Sequence, residues 1–157
     1  MTQAQAGPPT VALSSGYTHL WDDESSSAAA WSSGVHLGLG LGDTWRLRLL
    51  LNHAWPPANP GRRALHAGPD LLYVLDTLRW RPLLGLGTGL MARWHKDRSS
   101  QHDIAVHALV GVDHDFNPRW RLAFETRVLF LPTGDGRDLL DPAALQALIS
   151  LAYRWQR

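Results

Sequence analysis

The sequence has no cysteine, a single lysine (Lys96) and only two glutamates (Glu24 and Glu125) in 157 residues. Without cysteine, disulfides, thiol nucleophiles and cysteine-based zinc sites are excluded together. No stretch approaches the roughly 18 to 20 consecutive apolar residues that a spanning helix needs. The longest candidate, 82–92, carries Gly85, Gly87 and Gly89 at every second position, which is a strand period. A helical membrane protein is therefore excluded. At a net charge of +1, with its arginines scattered, the chain also lacks the basic tract that a nucleic-acid partner would require. Apolar residues at 45% and charged residues at 18% are those of a folded domain and not of a disordered chain. Against these shortages stands one surplus, 8 Trp beside only 3 Tyr and 3 Phe.

Alternating polarity marks eight segments of strand length, at 10–21, 30–42, 45–55, 65–76, 78–94, 102–116, 120–131 and 143–155. Their connections alternate in length. Gly42-Asp43-Thr44, Asp76-Thr77-Leu78 and Asn117-Pro118-Arg119 read as tight turns, whereas 22–29, 56–64, 95–101 and 132–142 are longer and polar or rich in Pro and Gly. Short turns at one end and long loops at the other describe an all-β, eight-stranded antiparallel up-and-down transmembrane β-barrel, with both termini on the short-turn side. Residues 10–155 form this barrel, and residues 1–9 read as a flexible periplasmic leader.

Residue parity gives each strand one apolar and one polar face. In the third strand, Trp45, Leu47, Leu49, Leu51, His53 and Trp55 alternate with Arg46, Arg48, Leu50, Asn52 and Ala54. All eight Trp fall on the apolar parity and at strand ends. Trp21, Trp31, Trp55 and Trp94 stand at the long-loop end, and Trp45, Trp80, Trp120 and Trp155 at the short-turn end. Two girdles follow, in which an indole keeps its N–H near headgroups and its rings in hydrocarbon. Trp45 to Trp55 spans on the order of 33 Å of strand, or about 25 Å vertically at a tilt of about 40°, the height of the apolar band of a membrane barrel. A soluble barrel would place the polar face outside, and such a face should be dense in Lys and Glu. Here it holds Gly, Ser, His and Arg, and Gly34, Gly38, Gly40, Gly85, Gly87 and Gly89 suit an interior that must make room for long arginines.

The stretch Trp80-Arg81-Pro82-Leu83-Leu84-Gly85-Leu86-Gly87-Thr88-Gly89 resembles the fifth strand of the small eight-stranded outer-membrane barrels of Gram-negative bacteria, the OmpA-type transmembrane domain class. The segment Gly111-Val112-Asp113-His114-Asp115-Phe116-Asn117-Pro118-Arg119-Trp120 is similar to the hairpin between its sixth and seventh strands. The likeness covers nearly the whole chain and implies a multi-pass barrel of the bacterial outer membrane, in contact with outer-membrane lipids. The last strand, with Leu151, Tyr153 and Trp155 alternating, is similar to the C-terminal signal read by the barrel-assembly machinery, which the resemblance implies as a partner during biogenesis. Ala4-Gln5-Ala6 before Gly7 fits the remnant of a signal-peptide cleavage site.

Facing the lumen at mid-height, parity places His36, Arg48, Asp70, His107, Glu125, Arg127 and Ser150, with Arg46, Arg79, Arg81, Arg121, Arg154 and Asp113 towards the short-turn end. Buried charges must be paired, so these residues read first as an interlocked, Arg-rich plug. The preferred function is accordingly a non-enzymatic, structural or surface-contact barrel whose long loops meet extracellular partners. Two alternatives stay open. One is a narrow pore that an arginine excess would make anion-permeable. The other is an outer-leaflet hydrolase resembling a lipid A deacylase, in which Ser33, His19 and His53 form a row beneath the upper girdle and Asp22, Asp23 or Glu24 orients a histidine. The histidines, at 19, 36, 53, 66, 95, 102, 107 and 114, follow no metal-binding spacing, and neither metal nor cofactor is expected.

Overall fold

A computed structural model of the chain describes residues 7–21, 27–58, 61–75, 79–96, 98–132 and 142–155, the side chains of residues 98 and 99 excepted. Eight strands run in chain order: β1 (Thr10–Trp21), β2 (Ser27–Leu41), β3 (Trp45–Trp55), β4 (Arg63–Val74), β5 (Trp80–His95), β6 (Arg98–Asp115), β7 (Trp120–Phe130) and β8 (Pro142–Arg154). Each pairs antiparallel with its neighbours, and β1 closes on β8 from Thr10↔Arg154 to Leu20↔Ala144. Among the described residues no helix is long and apolar enough to cross a membrane; the strands do the crossing.

Turn chemistry sets the short-turn end. Gly42 takes a φ of 74° as the chain turns from β2 to β3, a conformation open to glycine without steric cost. In the β6–β7 turn, the Asn117 side-chain oxygen accepts from the N–H groups of Arg119 (2.9 Å) and Trp120 (3.0 Å), holding the bend that Pro118 also favours. The N-terminal segment is tied down at this end, because the Gly7 N–H donates to the Gly40 carbonyl (2.9 Å) and the Pro9 carbonyl accepts from the Trp155 N–H (3.1 Å). Residues 7–9 are thus bonded to the barrel where a flexible leader was expected; Ala4, Gln5 and Ala6 lie outside the described residues.

At the other end the strands outrun their apolar pattern. The segment 95–101 was expected as a long loop, yet pairing continues past a bulge at Arg93/His95 to His95↔Arg98. Residues beyond the girdle no longer need an apolar face, so polarity stops alternating while backbone pairing goes on. For the same reason β2 begins at Ser27, three residues before its pattern starts. Pro69, inside β4, has no N–H to donate, and the β4–β5 ladder passes from Ala67↔Leu90 to Asp70↔Gly87 with Gly68 and Pro69 unpaired on that side.

Burial is inverted relative to a water-soluble domain. Leu13, Leu86 and Leu90 on the outer face are 70%, 69% and 67% exposed, whereas Arg127 and Asp70 inside are each 1% exposed. All eight Trp stand on the outer parity, and Trp31, Trp45, Trp80, Trp94, Trp120 and Trp155 are exposed. The tyrosines join them: Tyr73 packs edge-on against Trp45 (5.1 Å between rings), and Tyr153 against Trp120 (5.1 Å) and Trp155 (5.5 Å). Water cannot solvate such a continuous apolar exterior without cost, so the surface is one that hydrocarbon must cover.

Two inward glycines sit where the strands permit no side chain. A Cβ on Gly16 would overlap the Ala147 carbonyl oxygen of β8, and one on Gly68 would overlap the Thr88 carbonyl oxygen of β5. Gly16→Val and Gly68→Val are each expected to lower stability by about 1–3 kcal/mol, read as an earlier unfolding midpoint in urea with folded and unfolded barrel separated on unboiled gels. Wild-type midpoints would contradict the packing described here.

Candidate functional site

The lumen holds most of the buried chemistry, in four zones. Nearest the long loops, inward residues from all eight strands form one apolar cluster: Leu20, Ala30, Ala54, Ala64, Met91, Ala105 and Leu129, with Leu131, Ala143 and Ala144. Alanines from five of the strands leave room for Leu20, Met91, Leu129 and Leu131, a mix of small and large side chains that fills a narrow barrel. Sequence reading missed this layer, although the same parity that put Arg48 and Asn52 inside also put Ala54 there.

Below it lies a belt of neutral polar groups. Thr18 and Ser32 share a short hydroxyl–hydroxyl hydrogen bond, and Asn52 donates to Gln146 (3.3 Å) across the lumen. His36 bonds Ser14 (3.2 Å), and His66 meets His107 edge-on at 4.9 Å. His36, placed at mid-height with the charges, is buried and bonds the Ser14 hydroxyl on β1. Ser14, Asn52, His66 and Gln146 were legible by parity but carried no charge to draw notice.

At the centre, Arg48 extends from β3 and uses all three of its guanidinium nitrogens. Nη1 and Nη2 donate to the two carboxylate oxygens of Glu125 on β7 (2.5 and 2.9 Å), while Nε and Nη2 donate to Asp70 Oδ2 (2.9 and 2.6 Å). Arg127 Nη2 also reaches Asp70 Oδ2 (3.1 Å), and His107 Nε2 bonds Asp70 Oδ1 (2.5 Å). Gly87 makes this possible, since a Cβ there would strike both the His107 ring and the Asp70 carboxylate. Two arginines face two carboxylates, one for one. Forked arginine–carboxylate pairing supplies the geometry that offsets desolvation. Ser150, placed at this height by parity, is buried nearby on β8.

Towards the short turns, Leu72, Val74, Leu83 and Leu109 form a second apolar cluster, and Arg46, Arg81, Arg121 and Arg154 gather about Asp113 and Asp115. Arg79, read as facing inward, lies ahead of β5 and is exposed, its carbonyl accepting from the His114 ring (2.9 Å).

On the outer face the expected row of Ser33, His19 and His53 does not form. Ser33 stands opposite His53 across β2 and β3, but its other neighbour is Ser15, while His19 pairs with Ala29 further along the strand. The stagger of tilted strands is the cause: Trp21 pairs with Ser27 and Trp31 with Tyr17, so positions two residues below each Trp are not level. Neither histidine bonds Ser33. His19 packs on Trp21 (4.7 Å) and bonds the Tyr17 hydroxyl (3.2 Å), and His53 stacks on Trp55 (5.2 Å). A nucleophile–base pair is therefore not assembled; Asp22, Asp23 and Glu24 lie outside the described residues. Among the described residues no group of three metal-ligating side chains converges.

The central network generates a clear expectation. Asp70→Ala removes the acceptor shared by Arg48, Arg127 and His107 and leaves uncompensated cations in the lumen, at a cost of about 3–5 kcal/mol. Urea titration of the folded barrel measures this, and a loss below about 1 kcal/mol, the scale of an exposed pair, would refute the network's importance.

No protein-family model matches the sequence, and no curated protein matches it. Solved structures do. Neisserial surface protein A superposes with a TM-score of 0.77 at 18% identity, over 98% of this chain and 99% of that one. The N-terminal β-barrel domain of OprF from Pseudomonas aeruginosa gives 0.67 at 14% identity, over 96% and 100%. Ail, the attachment invasion locus protein of Yersinia pestis, gives 0.61 at 10% identity, over 95% and 99%. Strand count and closure agree with these barrels over 95–98% of the chain, which is an eight-stranded transmembrane β-barrel with the fold of the small outer-membrane proteins of Gram-negative bacteria.

Proposed function

We propose that this barrel is a closed, non-enzymatic anchor that holds its long loops at the outer surface of the outer membrane, where they contact external partners. The observation that carries this reading is the apolar ring from all eight strands, stacked on a charge-balanced centre. An ion moving along the axis would have to shed its water against the ring and then part Arg48 from Asp70 and Glu125. The outer face supports the same conclusion, because Ser33 lacks a bonded base. Connections 22–26, 56–62 and 131–141 all leave the end opposite the termini, which gives that end the chain available for recognition. Two barrels that share the fold carry names of this kind, a surface protein and an attachment protein.

Purified barrel reconstituted in planar bilayers is expected to give no conductance steps. An epitope inserted in 56–62 is expected to be labelled on intact cells. Reproducible steps would overturn the closed lumen, and labelling only after permeabilisation would overturn the surface role of the loops.

A further inference from the structure

The short-turn mouth differs from the centre in its charge balance. Asp113 accepts from Arg46 Nη1 (3.1 Å) and Arg81 Nε (2.8 Å) and lies 3.5 Å from Arg121 Nε. Asp115 accepts from Arg121 Nε (2.8 Å) and Arg154 Nη2 (3.1 Å) and lies 2.8 Å from Arg81 Nη2. Among the described residues four arginines thus share two carboxylates, an excess of two positive charges, where the central network matches arginine and carboxylate one for one. A chamber of about 240 Å³ opens here, lined by all four arginines and by Asp43, which reduces the surplus to one. Gly7 and Gly40, joined backbone to backbone, also line it and leave that part of the wall without side chains.

Donors remain to be used. Nε and Nη2 of Arg46, both Nη atoms of Arg121, and Nε and Nη1 of Arg154 bond neither aspartate. Planar guanidinium forks match the oxygens of phosphate-like anions, and a narrow mouth with low-dielectric walls focuses their field. The volume lies below the roughly 300–1,000 Å³ of sites for drug-sized ligands and suits a small polyatomic ion. We infer that this mouth is a binding site for a small oxyanion of the phosphate class, with Arg46, Arg121 and Arg154 as its donors. The inference goes beyond the closed-anchor reading and does not depend on it, since the chamber opens away from the apolar ring.

The test is calorimetric titration of inorganic phosphate into the folded barrel in nanodiscs of zwitterionic lipid, at fixed chloride. Wild type is expected to bind one equivalent saturably. Arg46→Gln/Arg154→Gln should lose about tenfold or more in affinity, the scale of one charge-assisted hydrogen bond or more. Arg154→Gln alone, at the most exposed of the four arginines, should bind several-fold more weakly and covers the case in which the double variant does not fold; retarded migration on unboiled gels confirms folding. Repeating the titration with phosphatidylglycerol in the disc separates two sources of the same chemistry. Competition by the lipid assigns the site to a headgroup phosphate, and unchanged affinity assigns it to a soluble ion. Absence of saturable binding to wild type, or equal binding by a folded variant, would overturn the inference.

Discussion

Everything in this molecule follows from the closure of β1 on β8. In hydrocarbon an unpaired backbone N–H or carbonyl costs several kcal/mol, so a sheet that crosses a membrane cannot keep an edge. Closing with only eight strands leaves a lumen narrow enough for side chains to fill. Filling it then imposes its own rules. Glycine must stand where another group crosses, as Gly87 does beside the His107–Asp70 pair, and every buried charge must meet its opposite. The exterior is correspondingly simpler: mostly leucine, valine and isoleucine between two belts of tryptophan and tyrosine.

The interior is not uniform along its axis. An apolar ring, a neutral polar belt, a balanced ionic centre and an arginine-rich mouth succeed one another from the long loops to the short turns. Each zone has a distinct physical consequence. The ring is apolar from all eight strands, the centre ties opposite walls together, and the mouth, among the described residues, holds more arginines than carboxylates. On the readings proposed above, the two ends of the barrel take separate tasks, recognition by loops at one and electrostatic attraction at the other.

Parity made most of this legible from sequence. Period-two alternation fixed which face of each strand is lipid-facing, and the eight Trp fixed where the strands enter and leave the membrane. That was enough to bring Arg48, Asp70, His107, Glu125 and Arg127 into one lumen, although they span 80 positions of chain. What parity cannot supply is height. Ser33 and His19 share a face and lie near a girdle, yet strand stagger separates them, because register is set by ladder bonds and turns. The extension of β5 and β6 past Trp94 was hidden for a related reason: once a strand leaves hydrocarbon its side chains stop reporting on its backbone. The apolar ring escaped notice because alanines at strand ends read as neutral until eight strands are brought together.

The bridge from Arg48 to Glu125 joins β3 to β7, strands on opposite sides of an eight-stranded ring. Both inward arginines of β3 look to the second half of the chain for a carboxylate, Arg46 to Asp113 and Arg48 to Glu125. A sheet of the first four strands alone would hold these cations with Asp70 as its only matching inward anion on β3 and β4. Order of assembly is thereby constrained: an N-terminal half cannot settle into the bilayer and wait for its complement.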